Sequence, residues 1–524
     1  MESKANPQQP TVLQVERAPN ALVSLSVLLP SFTDLIFIVL LIAFSFGALA
    51  PRLLWDADIG WHIRNGQNIL ATRSVPRVDS FSATMNGRSW YAWEWLYDAL
   101  IGWIHNVSGL NGVVFISALV IALTLAVVFR YTLRRGGSLP VTIVLFVLCA
   151  VASSIHFLAR PHVFGWLLAV AWFWILDTAT KNDAGARRLL YLPLLMLLWA
   201  NLHGGFVLGF VLLGIYVVAD LLTFFACPEL EGRVSARKQA ATLVAVGALS
   251  FLASLINPYG FKLHIHVYQY LTNRFLMQHI NEFRRPDLHG APAQAFLLMI
   301  ALAIVGIVAV RGRIRWTNWL LMAFAISSGI YAARNLPFAS MLLMMTTAPL
   351  LSRSIAGRVR VFRPLERLRA RELSMRFHIW PIAAVLLGLV ICLQQGRLVG
   401  RELMAAHFDT ARFPAQALDA LQHQGNREPI FSLDSWGGYF IYRLYPENKV
   451  FVDDRHDFYG EAYVREYLRV IHLDPGWQQV LDLWKVNLVV MPSRAKLSDA
   501  LRRSSSWTVI YNDTTATIFQ RPKL

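Results

Sequence analysis

Residues Asp34–His62 read DLIFIVLLIAFSFGALAPRLLWDADIGWH. Between Leu35 and Leu54 only Arg52 is charged. A run of about 20 mostly apolar residues spans a bilayer, and this run is that long. It ends on two carboxylates, Asp56 and Asp58, with His62 four residues beyond the second. A membrane span closed at one end by an acidic motif places polar chemistry at one face of the bilayer.

The rest of the chain agrees with a membrane reading. Of its 524 residues 56% are hydrophobic and only 15% charged, with mean hydropathy +0.45. A soluble domain carries about 25% charged residues, so this chain lacks the charge to cover a water-facing surface of its size. Eleven apolar segments are expected as spans, at 34–54, 111–130, 139–158, 163–178, 188–201, 204–226, 239–256, 293–310, 316–333, 337–351 and 379–396. The expected fold class is an α-helical polytopic membrane protein with a C-terminal α/β domain. Three divisions follow: an N-terminal segment 1–33, a transmembrane domain 34–396 with a long first loop 55–110, and a tail domain 397–524.

The net charge of +17 is a topology signal rather than a sign of nucleic-acid binding. Alternate loops carry Arg130, Arg134 and Arg135; Lys181, Arg187 and Arg188; Arg233, Arg237 and Lys238; Arg311, Arg313 and Arg315; and eight arginines from Arg353 to Arg376. Positive loops stay cytoplasmic. The N-terminus is then inside, and the first loop and the tail are outside. The 353–376 stretch also suits anionic headgroups. Residues 1–20 hold no apolar core, so the first span is expected to be a retained anchor in the plasma (bacterial inner) membrane. Cys149, Cys227 and Cys392 lie in or beside apolar segments and encode no disulfide framework.

In the tail, strands are expected at 429–433, 449–453 and 486–491 and around Val509 and Ile518, with helices at 437–445, 460–471, 475–484 and 495–503. Strands alternating with helices predict a small domain with a largely parallel sheet. Its Asp434-Ser-Trp436-Gly-Gly438 and Asp453-Asp454-Arg455 stretches follow strands. They read first as turns and helix caps, and otherwise as recognition loops.

Polar residues at span ends are costly and often functional. In this topology they gather on the outer side: Asp56, Asp58 and His62, then Glu94, Arg160 and His162, Asn201 and His203, Asn257, Glu282, and Arg334. The asymmetry predicts a polar cavity open to the outer face. Asp58 and His62, at i,i+4, share a helix face. Two carboxylates suit a divalent cation such as Mg or Mn, or a general base; alternatively one of them caps a helix over 59–71. Arg160 is suited to phosphate, or else snorkels to headgroups. Asn201 and His203 occupy a tight turn between two short spans and are expected to line the cavity. Asn257-Pro-Tyr-Gly260 is first a turn.

These features together resemble the GT-C superfamily of membrane glycosyltransferases, such as protein O-mannosyltransferases and lipid A aminoarabinose transferases. Asp56-Ala-Asp58 sits where that superfamily carries an acidic motif after its first span. The blocks Asp58-Ile-Gly-Trp-His62, Arg160-Pro-His162, Trp199-Ala-Asn-Leu-His-Gly-Gly205, Asn257-Pro-Tyr-Gly260 and Trp436-Gly-Gly438 resemble those of bacterial GT-C-like membrane proteins. The resemblance implies transfer of a sugar from a polyprenyl-phosphate carrier to an extracytoplasmic acceptor, with membrane lipids as surroundings. Asp56 would be the base, with Asp58 and His62 orienting it or binding a metal at Asp56 and Asp58. Arg160, His162 and Arg334 would hold the donor phosphate, and Glu94, Asn201, His203, Asn257 and Glu282 would line the cavity. The competing classes are a lipid or sugar transporter and a non-catalytic scaffold in envelope assembly.

Overall fold

A computed structural model describes residues 29–180, 183–310, 314–355, 363–375 and 378–522. Most of the N-terminal segment lies outside the described residues. So do Lys181, Arg311, Arg313 and parts of the basic 353–376 stretch.

The membrane part is a helix bundle. Its helices are α1 (Phe32–Ser45), α2 (Asp58–Thr72), α3 (Trp95–Arg134), α4 (Leu139–Ser153), α5 (Pro161–Ala179), α6 (Tyr191–Leu202), α7 (Val207–Ala226) and α8 (Leu230–Ser254). They continue with α9 (Phe261–Thr272), α10 (Arg274–His279), α11 (Ala291–Ala309), α12 (Trp316–Tyr331), α13 (Leu336–Ile355), α14 (Arg363–Ser374) and α15 (Ile379–Leu393). Each of the eleven apolar segments contains a helix. Among the described residues, five helices are long and apolar enough to cross a membrane alone, or six if the bent α14–α15 pair is one span. The expected count of eleven therefore exceeds what length supports. α1 illustrates the cause: it stops at Ser45 after 14 residues, and the chain re-forms only a short turn at Pro51–Leu54. At its other end α1 is set firmly, by a reciprocal Ser31–Asp34 capping box.

The basic loops meet at one end of the bundle. Arg130 pairs with Glu372 at 3.3 Å, His378 with Asp34 at 2.6 Å, and the Ser138 amide donates to Ser352 Oγ at 2.7 Å. The acidic motif and its partners meet at the other end. The first loop is itself structured. α2 crosses α3 so closely that a Cβ at Gly66 would lie 1.8 Å from the Asp98 carbonyl oxygen. Only glycine permits that approach. α3 then breaks at Ser108 and Gly109 before crossing the bundle.

The tail carries α16 (Ala415–His423), β1 (Ile430–Ser432), α17 (Asp434–Leu444), α18 (His456–His472), α19 (Trp477–Leu483), β2 (Leu488–Pro492), α20 (Lys496–Arg502), β3 (Thr508–Asn512) and β4 (Ala516–Gln520). The strand order is β1-β2-β4-β3. Only β1 and β2 run parallel; β2–β4 and β4–β3 are antiparallel. The sheet is thus mixed, not largely parallel, because β3 and β4 form a hairpin instead of a helical crossover. The expected strand at 449–453 is reduced to bridges from Val450 to Ser82 and Ile430.

The tail does not keep its core to itself. One face of the sheet, with Ile430, Leu488, Val490 and Ile518, joins the apolar core of the bundle, while the other packs under α18. α17 lies on α2 at glycine distance: a Cβ at Gly60 would come within 2.2 Å of the Gly438 oxygen, and one at Gly438 within 2.3 Å of the Ala57 oxygen. Arg455 fastens the joint, binding Asp453 through two nitrogens and Asp79 of the first loop at 2.8 Å, with Trp90 4.6 Å from its guanidinium.

Candidate functional site

Asp56 precedes α2 and divides its carboxylate. Oδ1 accepts the Asp58 amide at 3.0 Å, and Oδ2 receives Arg160 Nη1 at 2.9 Å. It therefore both takes up the first amide of the helix, one residue ahead of the Ala57 N-cap, and belongs to an ion cluster. Asp58, the first residue of α2, takes Arg160 Nη2 at 2.7 Å. Arg160 stands just before Pro161, which starts α5 without the N–H that the first helical turn would leave unpaired. The same guanidinium also binds Glu282 from the loop before α11. Glu282 in turn faces Arg334 at 3.4 Å, just before α13. Five residues from four separated segments thus form one chain of charge.

The chain continues inward. Arg334 Nη2 lies 3.3 Å from His203 Nε2, and His203 Nε2 lies 3.7 Å from Glu94. His203 Nδ1 accepts the Gly205 amide at 3.1 Å, and its Nε2 lies between the Arg334 guanidinium and Glu94. Glu94 is also 3.8 Å from His62 Nε2. His62 Nδ1 binds Asp98 at 2.5 Å, and Asn65 holds the other Asp98 oxygen at 2.6 Å. His62 shares the Asp58 side of α2 but turns its ring toward Asp98 and Glu94, forming no bond to Asp56.

Burial, with the Asp98 charge adding, raises Glu94 well above the usual carboxylate range. Burial alone would raise Glu282 too, but Arg160 and Arg334 overcome it and hold Glu282 well below that range. Burial works against a charged Arg160, yet Asp56, Asp58 and Glu282 outweigh it and keep the guanidinium protonated.

A cavity of about 310 Å³ opens beside this chain. Its walls include Trp166, Trp199, Phe324 and Phe338, and Glu94, His162, His203 and Arg334 line it. His162 gives its Nε2 proton to the His156 carbonyl at 2.8 Å and presents its ring to the cavity. Asn201 and Asn257 fall outside the chain. Asn201 spends its amide on the Leu197 and Ile256 carbonyls and accepts from Trp95 Nε1, all at 2.8 Å. Asn257 closes its own turn, accepting the Tyr259 amide and donating to Ser254 and Gly260.

The tail supplies a member that motif reading left among turns. Asp454 brings an oxygen within 4.8 Å of oxygens of both Asp56 and Asp58, and it belongs to a second such group with Asp434 and His456. Burial, then the Asp58 charge, raises Asp454 well above the carboxylate range. Burial, outweighing Arg160, also raises Asp58. Asp58 Oδ1 is buried without a hydrogen-bond donor among the described residues. Three convergent carboxylates with an orphaned buried oxygen fit a divalent cation, and an all-oxygen donor set favours a hard one.

No family model matches the chain, and no curated protein matches it in sequence. Solved structures do. An oligosaccharyltransferase from Archaeoglobus fulgidus, in complex with Zn and sulfate, aligns over 93% of this chain and 73% of its own at 13% identity, TM-score 0.53. ArnT from Cupriavidus metallidurans, bound to undecaprenyl phosphate, aligns over 96% of this chain and 98% of its own at 14% identity, TM-score 0.45. The chain thus shares the fold of the archaeal oligosaccharyltransferase over 93% of its length.

Proposed function

We propose that this protein is an integral-membrane glycosyltransferase that moves a sugar from a polyprenyl-phosphate donor to an acceptor hydroxyl on the extracytoplasmic side. The observation that carries the reading is the Asp56–Arg160–Glu282–Arg334 chain at the mouth of an apolar cavity. An isoprenoid phosphate needs an apolar wall for its tail and a cation for its head. The aromatic wall and Arg334 offer that pairing.

Asp56, about a fifth exposed, is the more open of the two first-loop carboxylates facing Arg160. Its Oδ2 takes the proton of the acceptor hydroxyl as the oxygen attacks the anomeric carbon. The bond from that carbon to the phosphate oxygen breaks, and the electron pair leaves with the polyprenyl phosphate. Arg334 meets the growing phosphate charge, a stabilisation that acts most strongly in a site shielded from water. Arg160, engaged by three carboxylates, positions Asp56 and Glu282 rather than binding donor. Asp56, Asp58 and Asp454 would hold a divalent cation, whose charge, when bound, lowers the cost of the anionic leaving group.

The test is donor turnover. The purified chain in lipid nanodiscs is given a panel of polyprenyl-phosphate-linked sugars, and release of polyprenyl phosphate is measured for wild type, Asp56→Asn and Arg334→Gln. Release by wild type that both variants lose is the expected result. Release unchanged in Asp56→Asn, or none from any donor, would sink the assignment.

A further inference from the structure

The opposite end of the same helices holds a second polar site that the transfer reading does not use. Asp177, in the last turn of α5, binds Arg135 Nη1 at 2.5 Å and accepts the Tyr131 and Tyr216 hydroxyls at 2.6 and 3.2 Å. Arg135 also donates to Asn318 Oδ1 at 3.0 Å, and its side chain is only 6% exposed. Its Nε is buried with no acceptor among the described residues. Arg135, Asp177, Tyr216 and Asn318 line a small cavity of about 90 Å³, closed on other sides by Pro349 and Leu350. A water needs about 10–15 Å³ measured this way. The space therefore exceeds one water several-fold and is far too small for a lipid tail.

Two more guanidiniums line it, Arg315 before α12 and Arg353 in the last turn of α13. Asp220 lies within electrostatic range of Arg315. Among the described residues, three arginines thus surround a pocket whose lining contains one carboxylate, Asp177, and that carboxylate is held by Arg135. Such a lining attracts an oxyanion, and guanidinium forks match phosphate oxygens. Trp316 and Trp319, next in sequence to Arg315, are about two-fifths exposed. Tryptophan at a helix end marks the headgroup level of a bilayer, so the phosphate available at this depth is that of a lipid.

We propose that this cavity binds the phosphate of an anionic membrane lipid, one headgroup per chain, at the face opposite the transfer site. The test uses the full chain extracted with phosphatidylglycerol and phosphatidylcholine and examined by native mass spectrometry. Wild type should retain one phosphatidylglycerol in preference to phosphatidylcholine. The Arg315→Gln/Arg353→Gln double variant removes two exposed charges and leaves the buried Arg135–Asp177 pair intact, and its unfolding midpoint, measured alongside, checks that it folds without the Arg315 charge near Asp220. Its retention should fall about tenfold or more, as expected for lost charge-assisted hydrogen bonds. Arg187→Gln/Arg188→Gln removes two exposed charges from another loop assigned to the same face and should leave retention unchanged. Equal loss in both double variants would mean diffuse attraction and overturn the site. Equal retention by wild type and Arg315→Gln/Arg353→Gln would do the same. In a separate thermal-unfolding arm, protection by inorganic phosphate alone, with none from phosphatidylglycerol, would overturn the lipid as the source.

Discussion

The two ends of the bundle are built on the same helices with opposite charge. α5 has Arg160 just before it and Asp177 in its last turn, 17 residues on, or about 25 Å of axis at about 1.5 Å per residue. α13 has Arg334 before it and Arg353 in its last turn. At one end Arg160 and Arg334 are outnumbered by Asp56, Asp58, Glu282 and Asp454. At the other, Asp177 is outnumbered by Arg135, Arg315 and Arg353. Burying a surplus charge is expensive unless a counter-ion or a reacting group shares it. The surplus at each end fits the role proposed for it: a proton acceptor and cation site at the acidic end, and an anion site at the basic end.

The largest expected effect breaks this comparison at the acidic end. Asn caps a helix about as well as Asp, so Asp56→Asn keeps the bond to the Asp58 amide and loses the charge facing Arg160. Transfer should fall about 10²- to 10⁴-fold, as for removal of a general base, while thermal unfolding in detergent shows a folded protein. Full activity would leave the acidic end a structural ion cluster. The reciprocal change at the basic end is Asp177→Asn. It strands the buried Arg135 charge, which costs about 3–5 kcal/mol, read as a lower unfolding midpoint. Turnover per folded molecule should stay level. If Asp177→Asn stops turnover without lowering stability, the two ends are coupled and their roles are not separable.

Much of the acidic end was legible in the sequence because its members sit at span ends, where a polar residue has few structural excuses. Asp56, Asp58, Arg160, Glu282 and Arg334 were singled out on that ground, and the fold joins all five. Asp454 was not, because Asp453-Asp454-Arg455 has good local reasons to exist: Asp453 grips Arg455 and accepts the Tyr459 hydroxyl. Only the seating of α17 on α2 carries its neighbour to Asp58, and sequence spacing does not encode that contact. Asn201 and Asn257 show the converse. An amide at a span end satisfies backbone carbonyls as readily as it lines a cavity. The basic end was hidden for a third reason. Its arginines announce topology wherever they point, so nothing in their spacing separates a pocket from a loop. Sheet direction failed on the β3–β4 hairpin, whose short link the alternating pattern obscured.

A smaller effect sharpens the account of how the acidic end is assembled. Gly438→Ala would push a methyl group to 2.3 Å from the Ala57 carbonyl, a backbone atom that cannot swing aside. Overpacking of this kind costs about 1–3 kcal/mol. Turnover should fall with it, because Asp454 is drawn away from Asp58, and the chain before α16 should become easier to cleave by protease. Gly214→Ala, on α7 with open space around it, should be neutral or slightly stabilising, since Ala favours helix over Gly. Equal tolerance at the two positions would mean that the tail is hung loosely on α2.

The smallest effect asks whether the acidic end extends to Asp434 and His456. Their side chains meet at 3.0 Å, and Asp434 also accepts the Ser435 amide at 2.7 Å. Burial opposes charge on both groups, but their mutual bond outweighs it, raising His456 and lowering Asp434 from their ordinary values. The His456 contribution to stability is complete below its unfolded value of about 6.5 and is lost as pH rises through the raised folded value. The Asp434 contribution is complete above about 3.9 and is lost as pH falls through the lowered folded value. The pair is therefore fully present between about pH 4 and 6.5. Asp434→Asn keeps an acceptor for Ser435 and loses the ion pair, which for partly exposed partners is worth about 1 kcal/mol or less. Its unfolding midpoint should trail wild type by most at about pH 5.5 and converge with it outside that window. A cation held by Asp434, Asp454 and His456 gives the opposite trend, since His456 must lose its proton to bind. A deficit that widens with rising pH and follows divalent-ion concentration would move these residues from support of the acidic end into its working part.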